Sequence, residues 1–232
     1  MDVMSQDKPI IILDFYGGSG AWSRPYRDAG YDVRVITLPD YNIFTASCDN
    51  ESLCFPKLST DDESMRIDIS DIYGILAAPP CTEFSIAKNG SHRKRDLALG
   101  METVKSCLSL IWHCQENGRL KFWALENPVG LLRRFLGKPA FTFYQWQFGD
   151  EGIKRTDLWG IFQAPKPTHS VRPETPYFVK QYRSGKKNQF AWSAPNCPEW
   201  AKAYIDSQPD RRAALRALTP PGFAQAFYRA NR

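Results

Sequence analysis

The chain has 232 residues, enough for one large domain or one domain with a small appendage. Hydrophobic residues at 43% and charged residues at 24% provide for a packed core, and no apolar run is long enough to span a bilayer. The N-terminal MDVMSQDKPI lacks the basic start and apolar stretch of a signal peptide, so a cytoplasmic protein with no membrane partner is expected. The net charge of +5 permits binding to a polyanion without demanding it.

None of the six cysteines forms a Cys-x-x-Cys pair, and the three histidines do not stand at zinc-ligand spacing beside them. Neither a structural metal site nor a disulfide framework is expected.

KPIIILDF reads as a first strand, followed by a glycine loop and a helix through WSRPYRDAG that Gly30 closes. YDVRVITLP reads as a second strand stopped by Pro39, and residues 40–65 as mostly loop. DIYGILAA is a buried strand ending at Pro79, and DLALGMETVKSCLSLIWHCQENG carries apolar residues at helical spacing. KFWALENP, FTFYQWQF and DLWGIF complete the strands, an alternation that argues for an α/β fold with a largely parallel sheet. From residue 163 to 209 proline-rich PKPTH, RPETP and SAPNCPEW replace helical periodicity, so this region reads as a small loop-rich insertion. Helix-like pattern returns in RRAALRALTPPGFAQAFYRANR, broken at Pro220-Pro221. The expected division is 1–162, 163–209 and 210–232.

Four motifs could carry chemistry. In LDFYGGSG a strand runs into glycines, which lets backbone amides approach a ligand ahead of a helix N-terminus; a plain strand-to-helix turn is the other reading. In PPCTEFS two prolines stiffen a strand end before Cys81, which is either a held nucleophile or a packed thiol. In ALENPVG a strand delivers Glu126 and Asn127 to its end. There the apolar neighbours Trp123 and Leu125 would keep a carboxyl protonated, or the carboxylate would cap a helix. FGDEGIKRTDLWG brings Lys154 and Arg155 to a strand entry, as substrate-binding cations or as surface charge. The basic runs SHRKRD, KQYRSGKK and RRAALRA tilt the balance towards a polyanionic partner.

Taken together and in this order, the motifs resemble the DNA cytosine carbon-5 methyltransferase family. LDFYGGSGAWSRPYRDAGYDV looks like its cofactor loop, Ile67-Asp68-Ile69 its short third motif and APPCTEFS its Pro-Cys motif. ALENP is similar to its Glu-Asn motif, GIKRTDLW to its basic motif, and RALTPPGFAQAF to a reduced C-terminal motif.

The resemblance implies a Rossmann-like S-adenosylmethionine-dependent methyltransferase fold with a small target-recognition region at 163–209. Cys81 would attack carbon 6 of a flipped cytosine, Glu126 would serve ring nitrogen 3, Asn127 would orient the Cys81 loop, and Arg155 would contact the base. Asp14, Phe15, Gly17, Gly18, Ser19, Gly20 and Pro79 would hold the cofactor, with Phe15 on the adenine and Asp68 accepting from its amino group. Ser85, Arg93, Lys94, Arg95, Lys154, Arg183, Lys186 and Lys187 would meet DNA.

The chain departs from the family in four respects. The second strand ends VITLPD, which leaves Asp40 as the candidate for the ribose hydroxyls and room for a modified S-adenosylmethionine. Glu-Asn is followed by proline, and the basic motif reads Lys-Arg-Thr. The short recognition region implies relaxed specificity, an accessory partner or a non-duplex substrate. Compact members are typical of phage genomes, which would place the protein in a host cytoplasm.

Overall fold

A computed structural model describes residues 10–60, 63–90, 92, 94–150, 154–172, 179–181, 187–189 and 197–232. Its centre is a six-stranded sheet of order β2-β1-β6-β7-β9-β8. The strands are β1 (Ile11–Phe15), β2 (Asp32–Ile36), β6 (Ile72–Ala77), β7 (Phe122–Pro128), β9 (Arg155–Ile161) and β8 (Phe141–Tyr144). The pairs β1–β2, β1–β6 and β6–β7 are parallel, and β7–β9 and β8–β9 are antiparallel. This mixed α/β architecture with a parallel centre is compatible with a Rossmann-like methyltransferase fold.

The burial of β1 explains its sequence: all five residues of IILDF are buried, because helices cover both faces of the sheet. On one face lies α2 (Leu97–Asn117), started by the Asp96 side chain accepting from the Leu99 N–H at 2.9 Å. The other face carries α1 (Arg24–Asp28) and α6 (Pro221–Ala230) around Trp22, Tyr26, Phe122, Phe143, Phe223 and Phe227. Gly30 ends the α1 turn at φ 89°, a left-handed conformation that favours glycine.

Residues 40–65, expected as mostly loop, instead form most of a separate antiparallel sheet: β3 (Ser47–Cys48), β4 (Ser52–Pro56) and β5 (Ser64–Asp68). Phe55 of β4 sets its ring 6.2 Å from Phe15, which fixes this small sheet onto the main core. FTFYQWQF is strand only to Tyr144; Gln145–Phe148 is a 3₁₀ turn.

The region expected to lose helical pattern contains α4 (Glu199–Ser207), which packs with α5 (Arg211–Ala217) on Ala21 through Ala201, Ile205, Ala214 and Leu215. A two-stranded ribbon, β10 (Val179–Gln181) with β11 (Lys187–Gln189), completes the described elements. A short α3 (Arg133–Leu136) follows β7.

Where the chain leaves the sheet, the Gln163 N–H donates to Asn231 Oδ1 at 2.8 Å, and Asn231 Nδ2 donates back to the Gln163 carbonyl at 2.9 Å. Among the described residues, no helix is long and apolar enough to cross a membrane.

Candidate active site

Strand order decides where a site can form. From β1 the chain goes to β2 on one side and returns to β6 on the other, so a crevice opens beyond the C-terminal ends of β1 and β6. The glycine loop leaves β1 there, and Pro79-Pro80-Cys81 leaves β6 beside it. The C-terminal end of β7 adds Glu126 and Asn127.

Side chains knit these strand ends together. Asn127 is fully buried and donates from Nδ2 to the Pro79 carbonyl at 3.0 Å, two residues before Cys81. The Leu131 N–H donates to the Phe84 carbonyl at 2.9 Å, and Gly130 bridges to Ser85. A Cβ at Gly130 would collide with the Phe84 carbonyl, so only glycine lets the two loops approach this closely. The Cys81 carbonyl accepts from the N–H groups of Phe84 and Ser85 at 3.0 and 2.8 Å, which curls the loop under the thiol.

Glu126 and Lys154 face each other at 3.5 Å beside Cys81. Glu126 therefore has an ion-pair partner, not the isolated apolar surroundings its sequence neighbours implied. Burial pushes the Cys81 thiol above its ordinary value; the Lys154 ammonium pulls it down, and the Glu126 carboxylate pushes it up. Arg216 of α5 also acts to lower it, a contribution that nothing local in RALTPP signals.

Several expected roles are corrected by this geometry. Successive residues of an extended chain point to opposite sides. Lys154 takes the Glu126 side, and Arg155 turns to the other face of β9, its guanidinium 5.5 Å from the centre of the Tyr144 ring. The cation at the site is thus Lys154, not Arg155.

Arg95 is a clamp: it donates to the Glu83 carbonyl at 2.6 Å, the Ser85 carbonyl at 2.9 Å and Asn89 Oδ1 at 2.7 Å. These three bonds commit its guanidinium to the Cys81 loop. Glu83 anchors that loop from the other side, accepting from Lys88 Nζ at 2.5 Å and the Asp96 N–H at 2.7 Å.

Asp68 sits at the wrong edge. It ends β5 and precedes β6 by one 3₁₀ turn, so it lies by the N-terminal end of β6, on the order of 17 Å of strand from the crevice. Phe15 is fully buried against Phe55 and presents no face to a ligand.

Asp40 is exposed beyond the C-terminal end of β2, on the crevice edge. Ser19 is half-buried, and Lys94 is exposed. Lys187 begins β11, opposite Gln181. Arg93, Arg183 and Lys186 lie outside the described residues.

The glycine-loop cleft is lined by Asp14, Tyr16, Gly17, Ala78, Tyr204 and Leu218. A Cβ at Gly17 would collide with the Asp14 carboxyl, so the carboxyl lies directly beneath the loop backbone. Asp14 accepts from Ser23 Oγ at 2.5 Å, while its Oδ1 is buried without a partner. Tyr16 adopts φ 57°, a costly conformation for a bulky residue, and its hydroxyl also lacks a partner.

Opposite them stands the Tyr204 hydroxyl of α4, 2.7 Å from where a Cβ on Gly18 would be. Orphaned polar atoms under a bare glycine backbone suit a ligand with its own donors, such as the amino-acid end of S-adenosylmethionine. Sequence reasoning missed Tyr16 and Tyr204.

Among the described residues no cluster of His, Cys, Asp or Glu is arranged to hold a metal ion.

The chain is 26% identical over 125 residues to the type II methyltransferase M.DdeI of Desulfomicrobium norvegicum. The likeness is to a methyltransferase. It covers 52% of this chain and 28% of that relative, so the chain spans just over a quarter of the relative's length. No family model matches the chain.

Proposed function

We infer that this chain methylates carbon 5 of cytosine in DNA, drawing on S-adenosylmethionine, as a compact member of the cytosine carbon-5 methyltransferase family. The observation that carries this reading is the convergence of Cys81, Glu126 and Lys154 on the sheet edge that also holds the glycine loop. The likeness to a methyltransferase supports it.

Carbon 5 of cytosine is a poor nucleophile, and covalent addition at carbon 6 corrects that. The Cys81 thiolate forms the bond to carbon 6, and the displaced ring electrons are received at nitrogen 3, where Glu126 gives a proton or a hydrogen bond. Carbon 5 then has enamine character and can take a methyl group, which S-adenosylmethionine supplies when bound. Loss of the carbon-5 proton to a base expels Cys81 and restores the ring.

The charges around Cys81 fit this order of events. Protonating Glu126 removes the charge that opposes the thiolate and leaves Lys154 facing it. The form of Glu126 that can donate to nitrogen 3 is therefore the form that favours attack. Asn127 positions Cys81 through the Pro79 carbonyl. Asp14, Tyr16 and the amides of residues 17–20 would hold the cofactor, Tyr204 would close the cleft, and Asp40 would take the ribose hydroxyls. Residues 163–209 would supply recognition, short enough to need relaxed specificity or an accessory partner.

The test is DNA carrying 5-fluorocytosine, incubated with protein and S-adenosylmethionine. Fluorine cannot leave as a proton, so a covalent adduct that survives denaturation is expected, absent in Cys81→Ala. Lys154→Met should slow trapping roughly tenfold at neutral pH and move its pH dependence to higher pH, with Lys154→Arg near wild type. No adduct on 5-fluorocytosine DNA of any sequence or strand state, with cofactor still bound, would sink the reading.

A further inference from the structure

Among the described residues, strand β8 forms the outer edge of the main sheet, and at its end it carries flat side chains that the mechanism above does not use. Tyr144 closes β8 and is the register partner of Arg155 on β9. The Arg155 guanidinium lies 5.5 Å from the centre of the Tyr144 ring. The Trp146 ring lies 5.9 Å from the Tyr144 ring and within 22° of parallel to it. Tyr144 and Arg155 are exposed and Trp146 is half-exposed, while their neighbours Phe143, Gln145 and Phe148 are buried and carry the packing. Among the described residues no carboxylate pairs with Arg155.

A planar cation beside two near-parallel rings, one exposed and one half-exposed, has one ligand chemistry above others: another flat, polarisable ring. Bases within a duplex are already stacked on each other and offer only edges and backbone, whereas an unpaired base offers both faces. Arg155 directly follows Lys154, whose ammonium stands at the Glu126–Cys81 centre, so the rings lie at the same strand entry but on the opposite face of β9 from that centre. We propose that Arg155, Tyr144 and Trp146 form a stacking site for an unpaired nucleobase, so that the chain prefers single-stranded or locally opened nucleic acid. The proposal rests on the nucleic-acid reading above and specifies its substrate class.

Fluorescence anisotropy with a labelled oligo-dT, which contains no target cytosine, isolates this site from catalysis. Single-stranded oligo-dT should bind several-fold more tightly than the matching dA·dT duplex. Tyr144→Ala should weaken single-strand binding roughly tenfold, within the range measured for loss of one base–aromatic stack. Tyr144→Phe, which keeps the ring face, should bind as wild type, and both variants should bind S-adenosylmethionine normally. Oligo-U in a parallel arm tells a DNA preference from an RNA preference, and tighter binding of either single strand through Tyr144 supports the site. Equal binding by duplex and single strand, wild-type affinity in Tyr144→Ala, or an equal loss in Tyr144→Phe would overturn it. The 5-fluorocytosine adduct separates the two claims. An adduct with Tyr144-independent binding sinks the stacking site alone, and Tyr144-dependent binding without an adduct sinks the methyltransferase reading alone.

Discussion

Asp14 shows what deep burial of a carboxyl costs at the level of one residue. Burial pushes its carboxyl up to about 6 from the ordinary 3.8, against the opposing pull of Ser23 and Arg27. The folded chain therefore keeps a proton that the unfolded chain has released. The stability this group contributes is complete below pH about 4, is lost as the pH rises through about 6, and does not change further above that. Asp150 is pushed to about 6 by burial as well, so the two add to one slope. In Asp14→Asn the buried charge is gone. The expected result is a higher Tm at pH 7 to 8, roughly half the wild-type slope of Tm between pH 4 and 6, and weaker S-adenosylmethionine binding. Calorimetry across that pH range checks it, and an unchanged slope would count against the argument. None of this was readable in LDFYGG, where Asp14 looks like any strand-end acid; its isolation comes from Gly17 folding over it.

At the level of elements, one ion pair ties three of them. Arg133 of α3 donates to both Asp157 oxygens of β9 at 2.6 Å, and Thr142 of β8 donates to the same carboxylate at 2.6 Å. Asp157 is fully buried, so Arg133→Ala would strand its charge. The expected cost is about 3 kcal/mol in urea unfolding, with Arg133→Lys recovering part of it. A loss below about 1 kcal/mol would mean that water reaches Asp157.

Elements differ in how far the sequence foretold them. Strands β1, β6 and β7 were legible because burial on both faces demands unbroken apolar runs. Strands β3 and β5 were not, because they are mostly exposed: β3 has two exposed residues, and in β5 only Ile67 is buried. Helix α4 was hidden because two fully buried residues, Ala201 and Ile205, give too little periodicity beside so many prolines. Its Tyr204 reaches the glycine-loop cleft only through tertiary packing. Lys154 and Arg155 were visible as a pair, but only the register of β9 decides which one meets Glu126.

For the whole molecule, the C-terminal helix is a core element and not a tail. Phe223 stacks on Phe143 with ring centres 4.0 Å apart and also contacts Trp22, Phe148 and Phe227. Phe223→Ala should cost about 3 to 5 kcal/mol, the range for emptying an aromatic core site. The change should appear as an earlier urea midpoint with an unaltered slope; a small loss would mean that α6 is merely appended. The same helix is held at its start, where the Gly222 and Phe223 N–H groups donate to Asp150 at 3.1 Å, and at its end, where Asn231 grips Gln163. That last grip gives the molecule a socket. Beyond the clamped Gln163 the chain stays on the body as far as His169, where the Thr168 and His169 N–H groups donate to the Gln147 carbonyl at 2.8 and 3.0 Å, and it is anchored again from Cys197 onward, in the cluster on Ala21. The stretch between those anchors is open to exchange as a cassette, since doubling the length of a chain connection costs only about 0.6 kcal/mol in closure entropy. On the function proposed above, target preference would then diversify, by natural insertion or by grafting, while the methyl-transfer machinery stays unchanged.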